Sequence, residues 1–256
     1  MQDKIAIIIQ ARAGSNRLPN KVLLPFYNDL SILDIIIQRL KESKYNKDII
    51  LATSDNLKDN KIAEFAIKHN ILLFRGDENN VLDRFVKCAE EYKMEKIIRV
   101  CADNPFILIK YIDDLIDIAI EDKVFDYISY KNSENTPVIK THLGLFAEFV
   151  NLVSLKKVLE KTSDVLYREH VTNYIYSNPD IFKINLVPLP ESLIDRKDLR
   201  FTCDTIDDFN MLKKLYAAYI ATLNTNKIDL ENLLSLVNNN QEYLNVMIKG
   251  IKQFEK

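Results

Sequence analysis

The stretch Ile5–Lys21, IAIIIQARAGSNRLPNK, decides how the rest of this 256-residue chain is read. Its first part, Ile5-Ala6-Ile7-Ile8-Ile9, is a dense apolar run rich in β-branched residues, the pattern of a strand buried on both faces of a parallel sheet. Gln10 ends the run. The loop that follows carries Arg12, Arg17 and Lys21 at the carboxyl end of that core strand. Three cations this close together make a site for several negative charges. Gly14, between Ala11-Arg12-Ala13 and Ser15, lets backbone N–H groups approach an anion without a Cβ in the way. Ser15 and Asn16 add short donors, and the two guanidinium groups can fork onto phosphate oxygens. Pro19 stiffens the exit. The loop lacks the GK[ST] ending of a P-loop, and its single glycine excludes a GxGxxG dinucleotide fingerprint. The triphosphate reading stands ahead of an ordinary solvated basic turn because the cluster directly follows the first core strand.

Composition bounds the alternatives. A net charge of −2 gives no general affinity for nucleic acid or membranes, so the basic loop is a local feature. With 47% apolar residues the chain can build a sizeable core. Asp3 and Lys4 precede only five apolar residues, unlike a signal peptide, and no stretch reaches the ~18 apolar residues of a membrane span. Cys88, Cys101 and Cys203 are odd in number and without CxxC spacing. They read as reduced thiols of a cytoplasmic protein.

Helices and strands alternate along the chain. Ser31 and Asp34 form a capping box ahead of a helix with Ile32, Leu33, Ile36, Ile37 and Leu40 on its apolar face. Asp48–Thr53 is a strand ending in Thr53-Ser54-Asp55, polar residues at a strand's carboxyl end, where open α/β sheets bind ligands. Lys61–His69 is a helix, Ile71–Phe74 a short strand and Val81–Tyr92 a helix. Lys96–Cys101 is a strand ending in Ala102-Asp103-Asn104-Pro105. Asp126–Ser129 and Lys183–Val187 are further strands, and Arg200–Cys203 alternates like one before a helix near Ile206. From Asn210 helices dominate, with a break at 238–240.

The loop sequence QARAGSNRLPNKVLLP resembles the signature of the cytidylyltransferase superfamily that activates sugars, which includes the CMP-sialic acid and CMP-KDO synthetases. It is most similar to the branch typified by spore coat polysaccharide biosynthesis protein F, departing where that branch usually has Gly before the Lys and this chain has Asn20. The resemblance covers roughly Lys4–Leu215. It implies an α/β fold: a Rossmann-like nucleotidyltransferase (GT-A-like) three-layer sandwich with a mainly parallel mixed sheet. The expected domain spans 1–215, with a helical C-terminal extension at 216–256 packed on it.

The resemblance also implies site roles. Asp103, in the family's (G/A)-D-x-P, and Asp204, in its R-x-(T/S)-x-D-T-x-E-D segment, become ligands of Mg²⁺, which favours one or two carboxylates plus phosphate oxygens. The residue-level alternative for Asp103 is a helix N-cap, and that for Asp207 and Asp208 is capping. Arg12, Lys21, Asp103 and Asp204 are the expected catalytic set. Ala11, Ala13, Gly14, Ser15, Arg17, Thr53, Arg75, Asp83, Arg84 and Ala102 are expected around the nucleotide, although Arg84 equally suits an ion pair with Asp83 or Glu78. Asn104, Glu148, Arg168, His170 and Arg200 are expected toward the second substrate. Glu148 falls on the family's Glu in a GLDVEVF-like segment, and Phe146 replaces an acidic residue there.

The implied reaction is transfer of CMP from CTP to an acceptor with release of pyrophosphate, for surface polysaccharide, capsule or glycan synthesis. Two acceptor chemistries stay open: the anomeric hydroxyl of an acidic keto-sugar, or a phosphate or phosphoramidate ester such as a sugar phosphate or phosphoglutamine. A reading from another class is a glycosyltransferase-like module or non-catalytic nucleotide binder, but no D-x-D stands at a strand end. The partners are small molecules, with no nucleic acid and no membrane. The irregular stretch 130–141 suits acceptor binding or dimerisation, so a homodimer remains open.

Overall fold

The run Ile5–Ile9 is buried along its whole length, and successive side chains enter two different cores. In the computed structural model, which describes residues 4–15, 17–223, 225 and 227–254, this run is β1 (Ile5–Gln10). The chain continues through β2 (Pro25–Tyr27), β3 (Leu30–Ser31), α1 (Ile32–Leu40), β4 (Asp48–Ser54), α2 (Asn60–Lys68), β5 (Leu72–Gly76), α3 (Val81–Glu91) and β6 (Lys96–Cys101). It goes on with α4 (Ile109–Glu121), β7 (Tyr127–Lys131), β8 (Glu148–Asn151), α5 (Leu152–Lys161), α6 (Val165–Glu169), α7 (Asn173–Tyr176) and β9 (Ile184–Pro188). Three C-terminal helices follow, α8 (Ile206–Leu223), α9 (Leu230–Asn238) and α10 (Gln241–Gln253).

The sheet has seven strands in the order β5-β4-β1-β6-β8-β7-β9. Among the described residues, β8 pairs antiparallel with β6 and with β7, and the other pairings of this sheet are parallel. Ile5, Ile7 and Ile9 pack with α1, α4 and the C-terminal helices, while Ala6 and Ile8 pack with α3, α5 and α7. The alternation follows from the two-residue period of a strand, and it produces the three-layer α/β sandwich. Burying each of these isoleucines contributes roughly 1.5–3 kcal/mol.

The strand order locates the ligand crevice. From β1 the chain runs outward to β4 and β5, then returns beside β1 on its other edge as β6. The order reverses between β1 and β6, and loops leaving the carboxyl ends of two such strands diverge and leave a crevice. Gln10 and Cys101 are paired at those two ends. The basic loop and the Ala102–Asn104 turn therefore line opposite sides of one opening.

Local signals explain most elements. Ser31 and Asp34 close a reciprocal capping box on α1, and Asn80 caps α3. Three expectations change. Asp103 caps no helix, because α4 begins only at Ile109 and Leu108 precedes it without a side-chain cap. Arg200–Cys203 is extended but is not a strand: Phe201 N–H bonds His142 O at 3.1 Å and Cys203 N–H bonds Asp103 O at 2.8 Å, two separate segments rather than one ladder. The sequence from Arg168 to Ser177 reads as one helix, and the structure has two short helices there, α6 and α7, broken around His170. Helix α8 runs without interruption through Leu215, and α9 and α10 bury Leu230, Leu233, Leu234, Val237, Tyr243 and Met247 in the α1/α4 core.

Candidate active site

The basic loop is folded back on itself by backbone bonds. Ser15 N–H and Asn20 N–H both donate to Ala13 O, at 2.9 and 3.0 Å. Ala13 N–H donates to buried Asp59 Oδ1 at 2.6 Å, and Asp59 also accepts Ser54 N–H at 3.2 Å. Asn20, where the resembling branch has Gly, sits at φ 58° in the left-handed region. Asn is the side chain that tolerates this region best after Gly, so the departure keeps the same backbone. Gly14 is different: its φ is not left-handed, and a Cβ there would meet Glu78 Oε1 at an ordinary 3.7 Å. The protein itself does not demand that glycine. Asn16 lies outside the described residues.

Lys21 begins a short 3-10 turn, and its side chain is drawn beneath the loop, with the residue only 7% exposed. Its Nζ donates to Cys203 O at 2.5 Å and lies 3.3 Å from Asp103 Oδ2 and 3.4 Å from Asp204 Oδ1. Arg17 Nη2 reaches the same Asp204 Oδ1 at 3.1 Å. The other oxygen, Oδ2, takes Arg200 Nη2 at 2.8 Å. Arg200 is fully buried and is fixed in turn by Asp208, through Nε at 3.0 Å, and by His142 Nδ1 at 2.5 Å. Asp208 also accepts the backbone N–H groups of Asp204 and Thr205, at 3.0 and 2.9 Å, so it shapes the turn that presents Asp204. Asp207 pairs with Lys249 at the surface.

Burial works against the charge on Lys21, but Asp103 and Asp204 outweigh it and hold its pKa above the ordinary lysine value. Burial likewise pushes the Asp204 carboxyl up, yet Lys21, Arg17 and Arg200 overcome that and hold it below the usual carboxylate range. The site thus keeps the Lys21 ammonium against an ionised Asp204 carboxylate.

Beside this cluster opens a cleft of about 620 Å³, continuous with a smaller recess of about 200 Å³ at the basic loop. Arg12, Arg17, Cys101, Asp103 and Asp204 line both. Ala11, Ser15, Lys21 and Ala102 line the recess. Asn104, His142, Phe146, His170, Thr202 and Phe254 are among the residues around the larger chamber. Arg99 and Glu148 face it too, as a buried pair joined across the antiparallel β6/β8 register. Glu148 also accepts from Tyr127 Oη and, at 2.9 Å, from Thr172 Oγ1, while Arg99 Nη2 donates to Gln10 Oε1 at 3.0 Å. Gly144 is required nearby: its φ is 61°, and a Cβ would lie 2.8 Å from Thr202 N.

The remaining expected site residues do not line the cleft. Arg75 donates to Ser54 O, Asn56 O and Asn60 Oδ1, tying β5 to the loop after β4. Arg84 is buried and donates to Asp77 O at 3.0 Å, so neither ion pair foreseen for it forms; Asp83 pairs with Lys87 instead. Thr53 is fully buried at the end of β4. Arg168 donates to Leu159 O and Thr162 O, closing the end of α5, whereas His170 faces the chamber. Arg99, His142 and Phe254 were not legible as site residues, because Arg99 arrives by strand pairing, His142 by an irregular segment bonded to Phe201 and Arg200, and Phe254 at the end of a distant helix.

A family model described as Cytidylyltransferase matches residues 6–249. Over 219 residues the chain is 37% identical to the spore coat polysaccharide biosynthesis protein SpsF of Bacillus subtilis, covering 83% of this chain and 86% of that one. It is 39% identical over 243 residues to the uncharacterized protein MJ1063 of Methanocaldococcus jannaschii, covering 95% and 94%. Its fold superposes on the structure of a cytidylyltransferase from Leptospira borgpetersenii with a TM-score of 0.82, at 28% identity and coverage of 94% and 97%.

Proposed function

This chain belongs to the cytidylyltransferase family, and from that premise we propose that it moves CMP from CTP to an acidic acceptor, with Asp103 and Asp204 holding Mg²⁺. The observation that carries the proposal is the meeting of Lys21, Asp103 and Asp204 at the crevice between the carboxyl ends of β1 and β6. The donor set fits magnesium. Among the described residues there is no cluster of three or more His, Cys, Asp or Glu side chains suited to a metal. A pair of partly exposed carboxylates suits an ion that completes its shell with water and phosphate oxygens. Bound there, the ion would neutralise triphosphate charge and help orient the α-phosphorus.

The chain's own residues do the rest. Arg12 and Arg17, exposed at the recess, bind the phosphates bidentately. Lys21 turns from the carboxylates to the departing pyrophosphate and neutralises the charge that develops there. Arg200 and Asp208 hold Asp204 in place throughout. The acceptor enters from the larger chamber, and its oxygen attacks the α-phosphorus in line as the bond to pyrophosphate breaks. Catalysis is by positioning and electrostatics, with no covalent enzyme intermediate. Lys140 and His142 in the chamber wall, with Phe146 where the resembling branch carries an acid, favour an acceptor bearing an anionic group. A keto-sugar carboxylate and a phosphate ester both satisfy that demand.

In this reading the product serves surface polysaccharide or glycan synthesis, the enzyme works in the cytoplasm, and residues 216–256 extend the catalytic domain of 1–215. Among the described residues no helix is long and apolar enough to cross a membrane. Pyrophosphate release is measured with each of the four nucleoside triphosphates, Mg²⁺, and a panel of acidic keto-sugars and phosphate esters. Release is expected with CTP alone, and it is lost in Asp204→Asn. Absence of release with every triphosphate and acceptor defeats the proposal.

A further inference from the structure

The C-terminal helix reaches the cleft, although nothing in its local sequence marks it as part of a site. Helix α10 lies on α8 and α9. Gly250 sits so close to the Arg200 side chain that a Cβ would fall 2.9 Å from its Cδ and Nε and 3.2 Å from Asp208 Oδ1. One turn further on, Phe254 lines the larger chamber. Its ring centre is 4.5 Å from Cζ of Arg17 and 5.4 Å from Cζ of Arg200. These are the two guanidinium groups that grip Asp204 from either side.

The two arginines differ in their need for a support. Arg200 is fully buried and carries bonds to Asp204, Asp208 and His142. Arg17 stands on the loop with its side chain 48% exposed, and its ion pair with Asp204 is a single contact. An exposed arginine has many rotamers to lose when it meets a ligand, and a stacked aromatic ring removes some of that loss in advance.

We propose that Phe254 is a positioning residue for the nucleotide site, holding the Arg17 guanidinium over Asp204 so that it is preset to receive the triphosphate. This rests on the cytidylyltransferase reading above. The C-terminal helix then belongs to the site by mechanics: Gly250 lets α10 settle on Arg200, and the ring at its end fixes the exposed cation of the loop.

The test compares CTP binding by calorimetry, in the presence of Mg²⁺, for wild type, Phe254→Ala, Phe254→Leu, Phe254→Trp, Arg17→Ala and the Arg17→Ala/Phe254→Ala double variant. Phe254→Ala is expected to weaken CTP binding about threefold to tenfold, the range set by an exposed to partly desolvated cation–π contact. Trp restores the affinity and Leu does not, which separates stacking from simple apolar cover. In the Arg17→Ala background the second substitution changes binding by less than about twofold, since the group it supports is gone. In the pyrophosphate assay Phe254→Ala raises the KM for CTP and leaves kcat within about twofold. Equal losses in both backgrounds, or full function with Leu, overturn the proposal. A wild-type protein that binds no CTP defeats the nucleotide reading instead. The support is then judged by thermal unfolding, where Arg17→Ala and Phe254→Ala must be non-additive, and additivity overturns it.

Discussion

Two charged clusters share this cleft and are built to opposite ends. At the rim, Lys21, Arg17, Asp103 and Asp204 meet through contacts of 3.1 to 3.4 Å, and Asp103 keeps a third of its side chain exposed. On the floor, Arg99 and Glu148 are closed off from solvent and tied to Tyr127, Thr172 and Gln10. Burial opposes the charge on Arg99, but its surroundings, Glu148 among them, overcome this and hold its pKa above the ordinary arginine value. The same cluster presses the Tyr127 hydroxyl far above its usual range, chiefly through burial and then through the Glu148 charge. Partly solvated pairs can be exchanged for phosphate and metal contacts at small cost, whereas a dry pair cannot give up a partner. The rim is therefore fit to do chemistry, and the floor is fit to hold β6 and β8 in register beneath it.

That contrast is broken most severely at the floor. Glu148→Ala leaves Arg99 buried without its counter-charge and is expected to cost about 3–5 kcal/mol of stability, read by denaturant unfolding. A loss below about 1 kcal/mol would place the floor in the same class as the rim. At the rim, Lys21→Met should lower turnover about 10²-fold or more while shifting the unfolding midpoint far less. Asp204 retains Arg17 and Arg200 after that change, and Asp103 is already wet. A smaller effect is expected in the loop backbone. Asn20→Ala forces a Cβ-bearing residue without a local polar side chain into φ 58° and should cost about 1 kcal/mol, whereas Asn20→Gly should stay within about 0.5 kcal/mol.

The smallest effect is in the pH profile. Because the Asp204 carboxyl is held low in the folded state, its contribution is complete above about pH 4 and is lost as pH falls through the folded value. Because Lys21 is held high, its contribution is complete below about pH 10 and is lost as pH rises through the folded value. Asp204→Asn should flatten the acid limb of stability against pH, and Lys21→Met the alkaline limb. An unchanged acid limb in Asp204→Asn would show that the aspartate gains nothing from its three cations.

The parallel half of the sheet was readable because each of its signals is local. Ile5–Ile9 is apolar at every position, Ser31 and Asp34 lie one helical turn apart, and the polar ends of β1 and β6 follow directly on their strands. The rim was partly legible for the same reason: Arg12 and Lys21 belong to the loop that leaves β1 and Asp103 follows the end of β6, whereas Asp204 was singled out by the family resemblance. Arg168, Arg84 and Arg75 show the limit. An arginine beside a site and one that caps a helix or ties a loop have the same sequence appearance, and only the position of a carbonyl such as Leu159 O or Asp77 O separates them.

The sequence alone determined the buried first strand and the cationic loop after it, because strand periodicity and loop chemistry are written over a few neighbouring residues, and the likeness of its motifs to a known family singled out the carboxylates at two later turns. Only the tertiary structure decided that β8 runs against its neighbours, that Arg99 meets Glu148 from 49 residues away, and that a phenylalanine near the C-terminus stacks on the arginine of the first loop. Contacts of that kind depend on how distant segments are brought together in register, and no local pattern of residue types encodes that geometry.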